Sequence, residues 1–312
     1  MKKPLNPLYT YTLILLAMLF WGLTFVWSSI VLNYYSPVTT IFLRLLISTI
    51  LMFIGLKIFG MIEKIRKADI PLFLSSAILN PFLYFLGENY GIKYSSPTIS
   101  AVAIAMIPVF MPIFSYFFLK EKLNLLNTIG MIISFGGILL MLLKPDFSLN
   151  ARPEGVFALS VAIIAAIGYS ILLKKLADSY SPFFIIATQN LIGILLFLPL
   201  FLWFDWQQFI STPITFQLAS SLLQLAIFGS SLAFVFFTIG MREIGVNKTN
   251  FFTNLIPIIT AIFSYFVIGE MFTERKLLGM VIVLGGVILT QWQHKNRNRL
   301  MPSYRFFWRS RK

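Results

Sequence analysis

The stretch IPVFMPIFSYFFLKEKLNLLNTIGMIISFGG at 107–137 returns, without a gap, as IPIITAIFSYFVIGEMFTERKLLGMVIVLGG at 256–286. Ile107-Pro108 pairs with Ile256-Pro257, Ser115-Tyr116-Phe117 with Ser264-Tyr265-Phe266, Glu121 with Glu270, and Gly136-Gly137 with Gly285-Gly286. Roughly 40% of the paired positions are identical, more than shared apolar composition produces, so the chain carries an internal duplication. Gly91 and Gly240 keep the same offset of 149. Earlier in each half, Ser36-Pro37 leads to Arg44 at the spacing by which Ser181-Pro182 leads to Gln189.

Working outward, the repeats lie among apolar runs at 9–31, 37–59, 70–91, 97–119, 123–143, 153–176, 181–204, 214–241, 245–268 and 273–293. Each is long enough for a hydrocarbon core of ~30 Å. Ser-Pro and single prolines separate them. Of the 312 residues 58% are hydrophobic and 12% charged, with 33 phenylalanines, a balance that a soluble fold has no means of burying. The sequence therefore predicts an all-α membrane protein of ten transmembrane helices, with the N-terminal run retained as the first helix. Five helices per unit is an odd number, so the second unit enters the bilayer from the opposite side and the repeats are inverted. The expected division is 1–148 and 149–294 for the two units, and 295–312 for a basic tail.

Positive charge sets the orientation. With the N-terminus in the cytoplasm, Lys2, Lys3, Lys57, Lys64, Arg66, Lys67, Lys120, Lys122, Lys174, Lys175, Arg242, Lys248 and the tail all fall on that side. The other side holds Lys93, Lys144, Arg152, Arg275 and Lys276, a ratio of about nineteen to five. Both termini are expected in the cytoplasm of a bacterial inner (plasma) membrane. The net charge of +14 is thus topological and does not indicate a nucleic-acid partner. The tail, with Arg305, Trp308 and Arg309, suits adsorption to anionic lipid. The chain has no cysteine, and its one histidine, His294, lies beyond the last run, so no metal site or cofactor is expected.

These ordered residues resemble the drug/metabolite transporter superfamily, in particular its EamA-type ten-helix members. The resemblance rests on Phe20-Trp21-Gly22, Ser36-Pro37 with Arg44, Ser96-Pro97, Ile107-Pro108, Glu121, Gly130 and Gly136-Gly137. It continues through Ser181-Pro182 with Gln189, Asn254, Pro257, Glu270, Gly279 and Gly285-Gly286, and so covers nearly the whole chain. Where members often carry Asn, this chain has Thr24. The resemblance implies a central cavity lined by helices 3, 4, 8 and 9 with helices 1 and 6, and a peripheral pair of helices 5 and 10. It also implies transport, with cargoes among members ranging from amino acids to drugs and nucleotide-linked compounds.

Polar residues inside hydrocarbon cost several kcal/mol unless partnered and are functional candidates by default. Ser76, Asn80, Tyr84 and Glu88 share one face of helix 3; Asn247, Asn250, Asn254 and Pro257 share one face of helix 9. Gln217, Ser221, Gln224 and Phe228 do so on helix 8, and Trp21, Thr24 and Ser28 lie on helix 1. The expected substrate-binding set is Trp21, Thr24, Asn80, Tyr84, Glu88, Phe110, Tyr169, Gln224, Phe228, Asn250 and Asn254, with amides and hydroxyls for a zwitterion and rings for its apolar part. Interhelical bonding, at about 0.6 kcal/mol per bond, is the competing role for the polar stripes. Glu88 can cycle protons or meet a substrate ammonium; its alternative is pairing with Lys93. Arg44 is expected to snorkel or to bond helix carbonyls, and its pairing with Gln189 across the repeats favours structure. Pro108, Pro112 and Pro257 are expected hinges, and Glu121 and Glu270 caps or gating pairs. The reading is a secondary transporter, of an exported amino-acid-like metabolite, as monomer or homodimer and with a proton as coupling ion. A lipid flippase, an assembly partner or an intramembrane enzyme are the alternatives, the last lacking any acid–base set.

Overall fold

The structure, a computed structural model, describes residues 6–110, 125–143, 151–245, 249–250 and 252–297. Pro112, Glu121, Asn247 and the tail beyond Arg297 lie outside the described residues. Among the described residues ten helical spans follow in order: α1 (Pro7–Leu32), α2 (Pro37–Ile58), α3 (Lys67–Tyr94), α4 (Pro97–Phe110), α5 (Leu125–Leu142), α6 (Pro153–Ala177), α7 (Pro182–Ser211), α8 (Phe216–Ile244), α9 (Phe252–Ile268) and α10 (Glu274–Arg297). Among them α1, α2, α3, α6, α7 and α8 are long and apolar enough to cross a bilayer. Their outward faces carry Ile50, Ile54, Ile164 and Leu195 exposed, as a lipid-facing surface requires.

The sequence breakers start the helices. Ser36, Ser96 and Ser181 each accept the backbone N–H three residues on, from Thr39, Ile99 and Phe184, while the following proline takes the first helical position, where no N–H is needed. After α2, Gly60 turns the chain with φ +62°, and Met61 N–H donates back to Leu56 O over 2.8 Å, closing the helix end.

Packing follows the duplication. α2 lies against α7 and α5 against α10; α1 packs on α8 and α9, and α6 packs on α3 and α4. Exchanging the five helices of one unit for those of the other maps this set of neighbours onto itself. The equivalent helices α2 and α7 run antiparallel, which their ends show directly. The Glu63 carboxylate, just past the end of α2, accepts the Ser181 N–H at the start of α7 over 2.7 Å. Asp205, near the end of α7, accepts the Thr39 N–H over 3.1 Å, the Thr39 hydroxyl over 2.9 Å and the Ser36 hydroxyl at the start of α2. Each unit thus caps the other's second helix with a carboxylate, favoured there by the exposed N–H groups and the helix dipole. Asp205→Ala is expected to leave the Ser36 and Thr39 hydroxyls without this acceptor, the Thr39 N–H keeping Ser36, and to cost about 1–3 kcal/mol, read as a lower midpoint in thermal unfolding of the detergent-solubilised chain.

The peripheral pair is a glycine contact. A Cβ on Gly137 would come within 2.8 Å of Gly279 O, and one on Gly286 within 2.7 Å of Gly130 O. Gly130 and Gly279 are repeat equivalents, as are Gly137 and Gly286, so the two halves of this interface mirror each other. Gly136 and Gly285 have nothing within 4 Å of such a Cβ and play no part in it.

Candidate functional site

Where α3, α4, α8 and α9 meet, all four lose regular helical bonding. α3 passes through a π-helical turn at Ile78–Leu83, in which Asn80 is extended (φ −148°, ψ 120°) ahead of Pro81. α8 passes through one at Leu225–Ala233, and the repeat offset sets Asn80 opposite Gly229 of Gly229-Ser230-Ser231. α4 turns at Ala105–Met106, one turn before Pro108, and α9 opens with a 3-10 segment, Phe252–Leu255, just before Pro257. A proline removes one donor and crowds the preceding turn, so in α3, α4 and α9 the irregular backbone comes just before a proline, whereas the segment of α8 has none.

These interruptions surround a cavity of about 60 Å³, well above the ~10–15 Å³ needed to admit a water. Its wall takes Trp21 and Phe25 from α1, Asn80, Tyr84 and Glu88 from α3, and Ile104 and Ile107 from α4. Ala166, Tyr169 and Ser170 come from α6, Phe234 and Phe237 from α8, and Asn250, Thr253 and Ile256 from α9 and the residue pair before it. Repeat equivalents differ in chemistry: Glu88 answers to Phe237, Tyr84 to Ala233, Trp21 to Ala166 and Phe25 to Ser170. The cavity thus takes most of its polar groups from α3 and α6 and most of its aromatic rings from α1 and α8. Among these rings, Trp21 meets those of Phe234 and Phe237 at centroid distances of 4.9 and 4.8 Å.

Among the described residues, Glu88 is the one charged residue lining this cavity. Its carboxylate accepts the Tyr84 hydroxyl over 2.9 Å and lies 3.9 Å from Arg44 Nη1. The Arg44 side chain is 1% exposed; its Nε donates to Ser230 Oγ over 2.8 Å and its guanidinium lies 4.2 Å over the Phe85 ring. Arg44 therefore does not snorkel, because a carboxylate, a hydroxyl and a ring are supplied to it in the interior. Glu88 is likewise turned from Lys93, whose ammonium lies over Tyr94 at 5.9 Å. Behind the cavity, Asn190 donates to Ser48 Oγ over 2.9 Å and to Ser230 O over 3.0 Å, and Ser48 and Ser231 are 2.6 Å apart. Gln189 accepts the Tyr169 hydroxyl over 3.0 Å and donates to Ser76 over 2.9 Å, so it ties α6, α7 and α3 together.

The family model described as the EamA-like transporter family matches the chain twice, over residues 8–143 and 153–292. The chain belongs to the EamA-like transporter family. The transporter is 29% identical over 292 residues to the uncharacterized transporter YvbV of Bacillus subtilis (strain 168), covering 92% of this chain and 93% of that one. It is 28% identical over 255 residues to the uncharacterized transporter YetK of the same strain, covering 80% and 76%. An uncharacterized transporter of Archaeoglobus fulgidus is 25% identical over 274 residues, covering 88% and 95%. A solved structure described only as the crystal structure of a protein shares the fold, with a TM-score of 0.69 at 15% identity, covering 94% of this chain and 99% of that one.

The transporter brings Trp21, Asn80, Tyr84, Glu88, Tyr169 and Asn250 of the expected set onto one cavity wall, and leaves the others off it. Thr24 is buried, donates to Trp21 O over 2.6 Å and packs on Gly229. Phe228 packs between Phe20 and Trp27, Phe110 joins the apolar core, and Gln224 is half-buried one turn before it. The helix 8 stripe fails because a π-helical turn follows Gln224. Each such turn adds a residue and rotates what comes after it, so a four-residue spacing no longer marks one face. Below the turn, Gln217 instead accepts the Tyr34 hydroxyl over 3.3 Å. Asn254 is buried one turn past Asn250; neither of its amide atoms has a hydrogen-bond partner, nor does Asn250 Nδ2. Glu270 accepts the Thr98 hydroxyl over 2.8 Å in the first turn of α4 and pairs with Lys276 at 3.2 Å, a cap between units. The residues that sequence reading passed over are Ser48, Asn190, Asp205, Ser230 and the phenylalanines Phe25, Phe234 and Phe237. Pro81 and the run Gly229-Ser230-Ser231 were the available signals for the two broken helices.

Proposed function

We propose that the transporter exports a small amine-bearing metabolite of amino-acid type by alternating access, across a bacterial inner membrane with both termini cytoplasmic. One observation carries this reading: Glu88, the one carboxylate among the described residues of the cavity wall, shares that wall with the rings of Trp21, Phe234 and Phe237. A carboxylate accepts an ammonium group, and an aromatic wall holds the apolar remainder and favours cations. The unpartnered Nδ2 of Asn250 on the cavity wall, with the unpartnered amide of Asn254 buried one turn on, supports a further contact, to the carboxylate of a zwitterion. Inverted repeats with helices broken around a central site are the architecture that secondary transporters use to open to each side in turn. Glu88 is also the group through which a proton gradient would couple to cargo.

Sealed proteoliposomes loaded with labelled phenylalanine test the reading. Efflux is expected to saturate with concentration, to fall at least about tenfold in Trp21→Ala and Asn254→Ala, and to lose its response to an imposed proton gradient in Glu88→Gln. Non-saturating efflux, or efflux unchanged in Trp21→Ala, overturns the proposed cargo class.

A further inference from the structure

The geometry points to Arg44 as the positioning residue that transmits the charge state of Glu88 to the broken segment of α8. This rests on the alternating-access reading above and assumes nothing about the identity of the cargo. The ion pair is not closed. At 3.9 Å the contact exceeds the 2.7–2.9 Å of a charge-assisted hydrogen bond, and Arg44 Nη1 is buried without a hydrogen-bond partner. Arg44 is held by its other ties: Nε to Ser230 inside the Leu225–Ala233 interruption, and the guanidinium face to Phe85 on α3. Gly229 makes the room for this. A Cβ there would come within 3.0 Å of Arg44 Nη2 and 2.4 Å of Thr24 Cγ2.

The guanidinium therefore touches both interrupted helices at once, Glu88 and Phe85 on α3 and Ser230 on α8, while standing outside the cavity wall. When a proton or a substrate ammonium neutralises Glu88, Arg44 loses its counter-charge. A buried cation cannot stay uncompensated, so it seeks other acceptors, and its hydrogen bond to Ser230 couples that move to α8. Besides Arg44 from α2, the titratable groups facing Glu88 are Tyr84 of its own helix and Tyr169 from α6. From α1, α4, α8 and α9 the described residues of the cavity wall include none.

The chain has no native cysteine, so Ser170→Cys places a unique thiol on the cavity wall. Its labelling rate by an impermeant thiosulfonate is compared between right-side-out and inside-out vesicles; the ratio reports which side the cavity opens to and cancels local charge effects on the reagent. Glu88→Gln, which removes the charge as cargo would, is expected to change this ratio at least about fivefold with Arg44 and Ser230 present. In Ser230→Ala, and in Arg44→Lys, which keeps the charge but not the guanidinium, the same change should be less than about twofold. Equal shifts in all backgrounds, or no shift in the native one, overturn the role of Arg44. Labelling from one face only in every variant removes alternating access itself, a result distinct from equal shifts. A missing phenylalanine flux leaves the ratio as informative as before.

Discussion

Gly286→Leu is expected to unfasten α10 from α5 and lower the thermal midpoint of the detergent-solubilised transporter sharply, whereas Gly285→Leu, one residue away, leaves it in place. The difference is in what each side chain meets. A Cβ on Gly286 stands 2.4 Å from Ser134 Oγ, 2.7 Å from Gly130 O and 2.7 Å from Ser134 N, and two of these three are backbone atoms that have no rotamer in which to move aside. Relief requires the helices to separate, which also breaks the hydrogen bond from Ser134 Oγ to Val283 O at 3.2 Å. In lipid the association of helices depends on such close packing, because apolar burial gives them no advantage over lipid contact. Overpacking of this kind costs about 1–3 kcal/mol, and a branched side chain against backbone belongs at or above the top of that range. Gly285 faces open space, where an added leucine contacts lipid and the change should stay within about 0.5 kcal/mol. Size-exclusion profiles after stepwise heating measure both; equal midpoints would show that this interface contributes little.

That contrast illustrates how far the sequence reaches. The duplication is visible as a spacing, and the resemblance implied the pair α5 and α10, but the pairing of α2 with α7 is written only in the packing. Which glycine of Gly285-Gly286 faces the partner depends on helix phase, and that is written only in three dimensions. The polar stripe of α3 held across the interruption at Ile78–Leu83 at Asn80, Tyr84 and Glu88, all of which line the cavity. The stripe of α8 did not, because its longer π-helical segment lies directly after Gln224 and carries no proline to announce it. The partner of a buried charge is harder still. Arg44 is separated by 44 residues from Glu88 and by 186 from Ser230, and nothing local distinguishes an arginine that reaches the interface from one met by a carboxylate in the interior. The asymmetric cavity wall was hidden for a related reason: phenylalanines are abundant along the whole chain, and only packing singles out Phe234 and Phe237.

Glu88→Leu should destabilise the transporter by about 3–5 kcal/mol, and Arg44→Leu added to it should return most of that loss. With Glu88 gone, a guanidinium whose side chain is 1% exposed keeps one hydrogen bond, to Ser230, and the face of Phe85. A cation over a ring contributes about 2 kcal/mol when desolvated, which offsets part of the cost of an unpaired interior charge and not all of it. Removing the guanidinium as well leaves two leucines among Phe85, Phe234 and Phe237, an apolar filling with no charge to solvate. The two substitutions are therefore strongly non-additive, with a coupling energy of the sign that a directly interacting pair requires. Midpoints for wild type, both single variants and the double variant, measured in one detergent, give that coupling. Losses that simply add would mean that the 3.9 Å separation is too wide for the charges to support each other. Transport separates stability from function in the same four proteins: the double variant folds but has lost the only carboxylate on the cavity wall among the described residues. Phenylalanine efflux should therefore stay at the level of Glu88→Leu even where the midpoint has recovered.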